Sequence, residues 1–464
     1  MTGDVTVTGF GVRTAFGTGA DALRRGVFAG VPSFVPTTRF DTGPYRTPMA
    51  GAAPDGADAV EDWALRHALA RCGTEALDMA GLPRGTEAAV LLGIAGDCTS
   101  ITRYWRDAAA MPEADGSGGT DGSSGADGSG GADADRGTDR ARGLAEADPG
   151  HALRGDRAVE AARLVRAGGP LTEVGLGHGL PTTPAIAAAA RLADAVPARL
   201  AESLAGGLGL TGPRLTFTNA CVASAAAIIH ACRLISSGRI DVAVCAGGYL
   251  VEEETFGKFD SGRALSRDGM VRPFSADRSG LLLGDGVAAV VLESTEHARR
   301  RGARPLAGVV GWGAATDAHH IAQPHPEGVG LARAARQALR LAGDPDGSSL
   351  GYVNAHGTGT KYNDGAETRG LRAAIPERAE SIPVSSTKST TGHLLEAAGV
   401  VEFVITMLAL MDGVLPPTAG FTQADPECDL DYVPNQPRHT DLRRALTINA
   451  AFGGANTALL LERP

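Results

Sequence analysis

Residues 214–238 read RLTFTNACVASAAAIIHACRLISSG, a strand signal followed directly by a helix signal. The predicted strand ends at Thr218, turns through Asn219 and Ala220, and reaches Cys221, after which a run of small helix formers begins. The thiol is therefore expected at a helix N-terminus, where free N–H groups and the helix dipole favour a thiolate. By itself the pattern leaves two alternatives open, a nucleophile or a buried structural cysteine.

The same alternation continues on both sides of this stretch. Short β-branched runs alternate with longer Ala- and Leu-rich stretches, which predicts βαβ units, a largely parallel sheet and the α/β class. The strand-like runs are 5–8, 88–92, 214–218, 242–246, 287–292, 306–310, 351–354, 383–386, 446–449 and 458–461. VTVTGFG (5–11) and LAGVVGWG (306–313) both place a strand before a Gly-aromatic-Gly turn, which suggests a duplicated unit. The first of these turns lacks the third glycine of a dinucleotide motif, so we reject a Rossmann cofactor site.

Composition excludes several classes of function. The 464 residues are 43% hydrophobic and 21% charged, enough to bury a large core. A formal net charge of −10 argues against broad nucleic-acid binding and against adsorption to an anionic membrane. Six cysteines without a C-x-x-C pair predict neither a zinc site nor a disulfide framework, and the N-terminus predicts no signal peptide, so we expect a cytoplasmic protein. The longest apolar run, 397–411, is too short to span a bilayer and predicts a buried helix.

One segment differs in composition from the rest. Residues 114–133 contain only Gly, Asp, Ser, Ala and Thr, in a six-residue near-repeat. Such a stretch has almost no apolar surface to offset its ordering entropy. We therefore predict a disordered surface insertion at about residues 112–150.

Two further segments follow strands and carry histidines. GYVNAHGTGTKYNDGAET (351–368) places His356 at the head of a Gly-Thr-rich loop, and IPVSSTKSTTGHLLEAAGVVEFV (382–404) places His393 at the start of a helix. A lone histidine after a strand is more often structural. However, loops at the carboxyl ends of strands build the site of an open α/β sheet, so we expect both histidines and Cys221 to converge there. The second segment also carries Lys388, one of only three lysines among 43 basic residues.

These motifs resemble the β-ketoacyl synthase family. The resemblance is carried by the Cys221 turn, HGTGT, KSTTGH, RPFSADRSGLLLGDGVAAVVLE (272–293) and AFGGAN (451–456). It implies a thiolase-like fold of two duplicated βαβαβαββ halves in αβαβα layers, with residues 1–302 carrying the nucleophile and 303–464 both histidines. HGTGTKYND (356–364) and DPECDLDYVP (425–434) are most similar to the ketosynthase subunits of type II polyketide synthases.

The resemblance also implies a chemistry. Cys221 would take an acyl chain from an acyl carrier protein as a thioester. Malonyl-carrier would then lose CO2, and His356 and His393 would each donate an N–H to the enolate oxygen, an interaction typically worth about 2.7–4 kcal/mol. The enolate carbon would attack the Cys221 thioester in a Claisen condensation, with the backbone N–H groups of Cys221 and Phe452 holding the oxyanion.

Further roles follow from the resemblance. Lys388 would be a support residue paired with Glu402, and Glu367 would structure the site, although both acids could instead form ordinary surface pairs. Thr358 and Thr360 would contact the phosphopantetheine arm, which the carrier supplies, and neither a bound cofactor nor a metal is implied. Because carriers are acidic, docking needs a local basic patch, for which we propose Arg263 and Arg267 against the alternative of solvated arginines. The protein would act as a homodimer or as a heterodimer with a ketosynthase-like chain-length factor.

Two alternative functions remain open, and the sequence departs from the family pattern at three places. The protein could be an acyltransferase without chain extension, or a chain-length-factor-type partner, although such partners lack the nucleophile. Ala450-Ala451 precede Phe452 where the family's gating loop usually has a glycine, and Asn219-Ala220 differ from its usual residues before the cysteine. Glu396 stands where a small residue is common, and we expect it to line the pocket or the dimer seam.

Overall fold

A computed structural model describes residues 4–52, 65–96 and 193–464. Nearly all of them belong to one structural unit, formed by residues 1–98 and 194–464. A second unit, residues 99–193, lies almost entirely outside the described residues. The insertion predicted at about 112–150 therefore also lies outside them.

Eleven of the described strands form the main sheet. They are β1 (Val5–Thr14), β2 (Gly17–Thr18), β5 (Ala89–Gly93), β6 (Arg214–Phe217), β7 (Val242–Tyr249), β8 (Gly286–Ser294), β9 (Ala307–Thr316), β10 (Leu350–Asn354), β11 (Val384–Ser385), β14 (Arg444–Ala450) and β15 (Ala455–Glu462). Two small pairs complete the set, β3 (Val35–Pro36) with β4 (Met49–Ala50), and β12 (Val414–Leu415) with β13 (Arg438–His439). Each strand-like run of the sequence overlaps a strand of the main sheet.

The helices among the described residues connect these strands and cover the sheet. They are α1 (Ala20–Leu23), α2 (Leu65–Ala80), α3 (Pro197–Leu208), α4 (Ala223–Ser236), α5 (Glu253–Ser261), α6 (Thr295–Arg300), α7 (Val329–Leu341), α8 (Lys361–Ala374), α9 (Lys388–Thr391) and α10 (Ala398–Asp412). Short 3₁₀ turns lie at Ala220–Val222, Ala379–Ser381 and Leu395–Ala397, and a π turn lies at Arg24–Phe28. In the part of the chain that is described, no helix is both long and apolar enough to cross a bilayer.

The main sheet is mixed, so the prediction of a largely parallel sheet is wrong for its centre. The strand order is β11-β10-β14-β15-β9-β1-β8-β7-β5-β6, with β2 beside β1. Pairing is parallel in β11-β10-β14 and β7-β5-β6, and antiparallel in between. Only residues 451–454 join β14 to β15, whereas a parallel connection needs a dozen residues or more.

The two halves of the sheet repeat one topology. From the centre of the sheet outward, one half has the order β1-β8-β7-β5-β6 and the other has the order β9-β15-β14-β10-β11. If the strands of each half are numbered along the chain, both orders are first, fifth, fourth, second and third. The Gly-aromatic-Gly sequences lie inside β1 and β9, so their prediction as turns is wrong. A Cβ on Gly9 or Gly11 would lie 2.1 Å from a backbone oxygen of α2, and one on Gly311 or Gly313 would lie 2.1 or 2.0 Å from an oxygen of α7. The glycines therefore allow equivalent helices to approach equivalent strands.

Strand alternation divides the side chains into three cores, which gives five layers. On β7, Ala243 and Cys245 pack with the inner helices α4 and α10, while Val242 and Val244 pack with α2 and α3. In the other half, Leu459 of β15 faces the inner helices and Leu460 packs with α7. The layers are thus helix, one half of the main sheet, inner helices, the other half of the main sheet, and helix. The predicted buried helix at 397–411 is the inner helix α10.

This topology explains how distant residues meet. Cys221 follows β6 and His393 follows β11, which are the third strands of the two halves and lie at opposite edges of the sheet. They converge because the inner helices α4 and α10, which follow those strands, pack against one another. The expected shared carboxyl end of neighbouring parallel strands brings His356, after β10, next to His393, after β11, but it does not bring Cys221 to them.

Candidate active site

Cys221 lies in the tight turn that joins β6 to α4. Ala220 before it has φ of 52°, a conformation that residues with a Cβ rarely adopt, and the 3₁₀ turn Ala220–Val222 leads directly into the helix. Small residues on both helices allow α4 and α10 to approach closely. A Cβ on Gly399 of α10 would lie only 2.5 Å from the backbone nitrogen of Ala225 on α4. Ser224 Oγ accepts a 3.0 Å hydrogen bond from the N–H of Val400 and fixes this contact. The predicted position at a helix N-terminus is confirmed.

The sulfur and the two imidazoles lie together. Nε2 of His393 is 3.0 Å from Sγ of Cys221. The ring of His356 meets that of His393 edge-on, with centroids 5.3 Å apart and an interplanar angle of 88°. All three side chains are nearly inaccessible, with exposures of 6%, 5% and 3% for Cys221, His356 and His393. The expected convergence of one thiol and two histidines is confirmed.

Backbone contacts hold each histidine in place. The N–H of His393 donates to Leu282 O at 2.7 Å and its carbonyl accepts from Gly284 N at 3.1 Å. His393 lies between α9 and the turn Leu395–Ala397, rather than at the start of a helix as predicted. The N–H groups of His356 and Gly357 each donate to one oxygen of Glu367, both at 2.7 Å. Glu367 thus fixes the start of the HGTGT loop.

Lys388 and Glu402 form a buried ion pair close to both histidines. Lys388 begins α9, and its ammonium contacts one oxygen of Glu402. The other Glu402 oxygen accepts a 2.6 Å hydrogen bond from Nδ2 of Asn449. Lys388 and Glu402 are each 1% exposed, and Glu367 is buried as well, so the alternative of ordinary surface pairs is wrong.

Burial dominates the protonation of these groups. It raises the pKa of the Cys221 thiol to about 12, and the Glu396 carboxylate adds to this effect, whereas Lys388 opposes it. The expected preference for a thiolate at the helix end is therefore outweighed by desolvation. Burial and the Lys388 ammonium hold the pKa of both histidines well below the ordinary 6.5, so both rings are neutral at pH 7. Burial also raises the pKa of Glu367 to about 7.

A cavity of about 560 Å³ opens onto the sulfur. Seven of the predicted residues line it, namely Cys221, Arg263, His356, Thr358, Thr360, His393 and Phe452. Two of the three lysines, Lys258 and Lys361, line it as well, and the third is Lys388 behind the histidines. Arg263 and Arg267 are both exposed, but Arg267 lies outside the cavity wall.

Two residues near the sulfur were missed or left open by the sequence analysis: Phe259, which lines the cavity, and Glu396, which does not line it. Phe452 is 53% exposed and stacks on Phe259 with centroids 5.7 Å apart, and Phe259 meets the His393 ring edge-on at 6.4 Å. No motif signalled Phe259. Glu396 lies in the turn Leu395–Ala397, partly exposed, and its charge acts on Cys221 and faces Lys258.

Two family models match this chain. The model of the β-ketoacyl synthase N-terminal domain matches residues 180–298, and that of the C-terminal domain matches residues 306–422. These matches cover just over half of the 464 residues. The chain belongs to the β-ketoacyl synthase family.

Individual family members are similar as well. A putative polyketide β-ketoacyl synthase 1 of Streptomyces halstedii is 40% identical over 274 residues, 58% of this chain and 65% of that protein. A 3-oxoacyl-[acyl-carrier-protein] synthase 2 of Vibrio harveyi is 39% identical over 280 residues, 58% of this chain and 67% of that protein. The chain thus spans about two thirds of the length of these curated relatives. The solved structure of the ishigamide ketosynthase/chain length factor superposes with a TM-score of 0.76 at 28% identity, covering 99% of both chains.

The arrangement in this β-ketoacyl synthase family member can support acyl transfer. The neutral His393 ring is within hydrogen-bond reach of the Cys221 thiol, so it can accept the thiol proton during attack. Once that proton has passed to the leaving group, both imidazoles are neutral again and can present N–H donors to a negative oxygen in the cavity. Within the described residues, no group of three His, Cys, Asp or Glu side chains is arranged to hold a metal ion.

Proposed function

We propose that this protein is a β-ketoacyl-[acyl carrier protein] synthase that extends a Cys221-bound acyl chain with malonyl-carrier. The observation that carries the proposal is the 3.0 Å contact between Cys221 Sγ and His393 Nε2, with His356 beside it at the same cavity. A chain-length-factor-type subunit, which lacks a nucleophile, would not need this arrangement.

The first step loads the acyl chain. Cys221 attacks the acyl-carrier thioester, His393 accepts the thiol proton, and the tetrahedral intermediate expels the carrier thiolate, which takes up that proton. The backbone N–H groups of Cys221 and Phe452 stabilise the tetrahedral oxyanion. A thiol with a pKa of about 12 needs such a proton acceptor, because it is almost entirely protonated at pH 7.

The second step forms the carbon–carbon bond. Malonyl-carrier releases CO2 and leaves an enolate, whose oxygen accepts N–H groups from His356 and His393. The enolate carbon attacks the Cys221 thioester, the Cys221 thiolate leaves and takes up one proton from solvent, and the product is a β-ketoacyl-carrier. Burial, together with Lys388 in its pair with Glu402, keeps both imidazoles neutral, and Glu367 holds the His356 loop.

Thr358 and Thr360 guide the phosphopantetheine arm toward the sulfur, and no resident cofactor is needed. Both threonines line the cavity, and their hydroxyls hydrogen-bond one another at 2.9 Å. The arm, supplied by the carrier, has amide groups that such hydroxyls can bond.

The partners in this proposal are an acyl carrier protein and a second ketosynthase-like chain, in the cytoplasm and in polyketide biosynthesis. Names of similar proteins support this, since they include a polyketide β-ketoacyl synthase, an acyl-carrier-protein synthase and a ketosynthase/chain length factor. Arg263 and Arg267 receive the acidic carrier. Arg272 nearby is already paired with Asp268 at 2.5 Å.

Chain extension is tested by mass. The protein is incubated with acyl-carrier and malonyl-carrier, with Cys221→Ala as control, and the carriers are weighed. A β-ketoacyl-carrier formed only by the parent protein supports the proposal. Acyl transfer to water, an amine or an alcohol without CO2 release would instead support the acyltransferase alternative, which the altered Ala450-Ala451 segment and Glu396 leave open. Native mass spectrometry distinguishes homodimer from heterodimer.

Carrier docking is tested by charge reversal. Arg263→Glu/Arg267→Glu is compared with Arg333→Glu/Arg340→Glu, which reverses two exposed arginines on α7. The first pair should raise the KM for the carrier about tenfold or more, and the second should change it little. Equal KM values in the two double variants would reject these docking residues.

A further inference from the structure

Asn449 is a buried residue next to the cavity wall. It is the last but one residue of β14 and directly precedes Ala450, Ala451 and Phe452, which line the cavity. Its side-chain amide donates instead to Glu402 on α10, at 2.6 Å. No motif of the sequence analysis includes Asn449.

Glu402 shares its carboxylate between two partners. One oxygen contacts the Lys388 ammonium and the other accepts the Asn449 amide, and all three side chains are 1% exposed. A buried ion pair is stable only where its geometry is good and its remaining lone pairs are satisfied. Asn449 supplies that second bond, so it fixes the rotation of the carboxylate and the position of the ammonium.

The backbone of α10 is anchored separately. Nδ2 of Asn354 on β10 donates to the backbone oxygen of Glu402 at 3.4 Å and to Thr406 Oγ1 at 3.1 Å. Loss of the Asn449 amide would therefore release the Glu402 carboxylate while these contacts still hold the helix. The effect of such a loss can be separated from the packing of α10.

We propose that Asn449 is a positioning residue of the condensation: through Glu402 it fixes Lys388 beside Cys221, His356 and His393, and it links that ion pair to the strand that ends in the cavity wall. This inference rests on the proposed condensing function. Without the Asn449 amide, the Lys388 ammonium would be displaced, and this would affect the reacting groups and not carrier binding. Asn449 thus affects turnover rather than the KM for malonyl-carrier.

Two substitutions in the full chain test this role. CO2 release from malonyl-carrier by acyl-loaded protein is measured against carrier concentration and pH. Asn449→Ala should lower kcat about tenfold or more and change KM less than about twofold. Asn449→Asp places a second carboxylate beside Glu402, offsets the Lys388 charge, and so raises the pKa of both histidines. The acid limb of its profile should move to higher pH by about 0.5–1 unit.

The matched control is Asn435→Ala, because this surface amide also makes side-chain hydrogen bonds, to the backbone of Phe421 at 2.7 and 3.0 Å. It should retain the parent kcat and acid limb. An unchanged kcat in Asn449→Ala, or an equal loss in Asn435→Ala, overturns the role, and Asn449→Ala alone decides it if the Asp variant does not fold. A parent protein that loads acyl chains but releases no CO2 refutes the proposed function itself.

Discussion

Nε2 of His393 lies 3.0 Å from Sγ of Cys221, although 172 residues separate them in the chain. His356 instead meets the edge of the His393 ring, with centroids 5.3 Å apart. The two imidazoles are therefore not equivalent. In the proposed mechanism, His393 accepts the thiol proton and later donates to the enolate, whereas His356 donates to the enolate alone.

We predict that His356→Ala and His393→Ala separate the two half-reactions. Both should lower CO2 release from malonyl-carrier about 10²–10³-fold, the usual cost of losing one oxyanion donor. Only His393→Ala should also slow acyl loading of Cys221, because it removes the proton acceptor. Intact-protein mass spectra report loading, and evolved CO2 reports decarboxylation. Equal loading defects in both variants would contradict the assignment.

The pH dependence of Cys221 alkylation should reveal its buried, protonated state. Because burial raises the pKa of this thiol to about 12, the thiolate fraction keeps rising with pH across the accessible range. Alkylation by iodoacetamide at Cys221 should accelerate about tenfold per pH unit up to about pH 10. N-acetylcysteine, the control, should reach a plateau near its ordinary pKa of about 8.5. A plateau for Cys221 below about pH 8 would refute the prediction.

Glu396 should tune the same thiol. Its carboxylate is the second cause, after burial, of the raised pKa of Cys221, so Glu396→Gln should lower that pKa. Alkylation at pH 8 should then be about three- to tenfold faster, corresponding to about 0.5–1 pKa unit. Glu377→Gln, at an exposed glutamate, is the matched control. An unchanged pH–rate profile together with an unchanged product chain length would show that Glu396 affects neither the thiol nor the pocket.

The sequence predicted individual helices, strands and turns well, but it predicted poorly which strands pair with one another. The Cys221 turn and the buried helix α10 were recognisable because chemistry-bearing residues and apolar periodicity lie within one element. The antiparallel centre of the sheet was not, because it depends on which distant strands become neighbours. The same limit explains Phe259 and Asn449, since a lone Phe on a helix or Asn in a strand acquires its role only from partners such as Phe452 and Glu402.

The Lys388–Glu402 pair should separate stability from activity. Lys388→Met leaves the Glu402 carboxylate buried without its partner, which should lower the free energy of unfolding by about 3–5 kcal/mol. Glu402→Gln removes that charge, and its side-chain oxygen can still accept a hydrogen bond from the Asn449 amide. The double variant Lys388→Met/Glu402→Gln should therefore recover much of the lost stability. Denaturant unfolding measures both effects. The acid limb of activity should not recover, because burial still lowers the pKa of both histidines but the ammonium that lowers it further is absent. Their pKa values should rise toward 6.5, and the acid limb of CO2 release should move to higher pH. A double variant with the parent's pH profile would show that Lys388 serves only to neutralise Glu402.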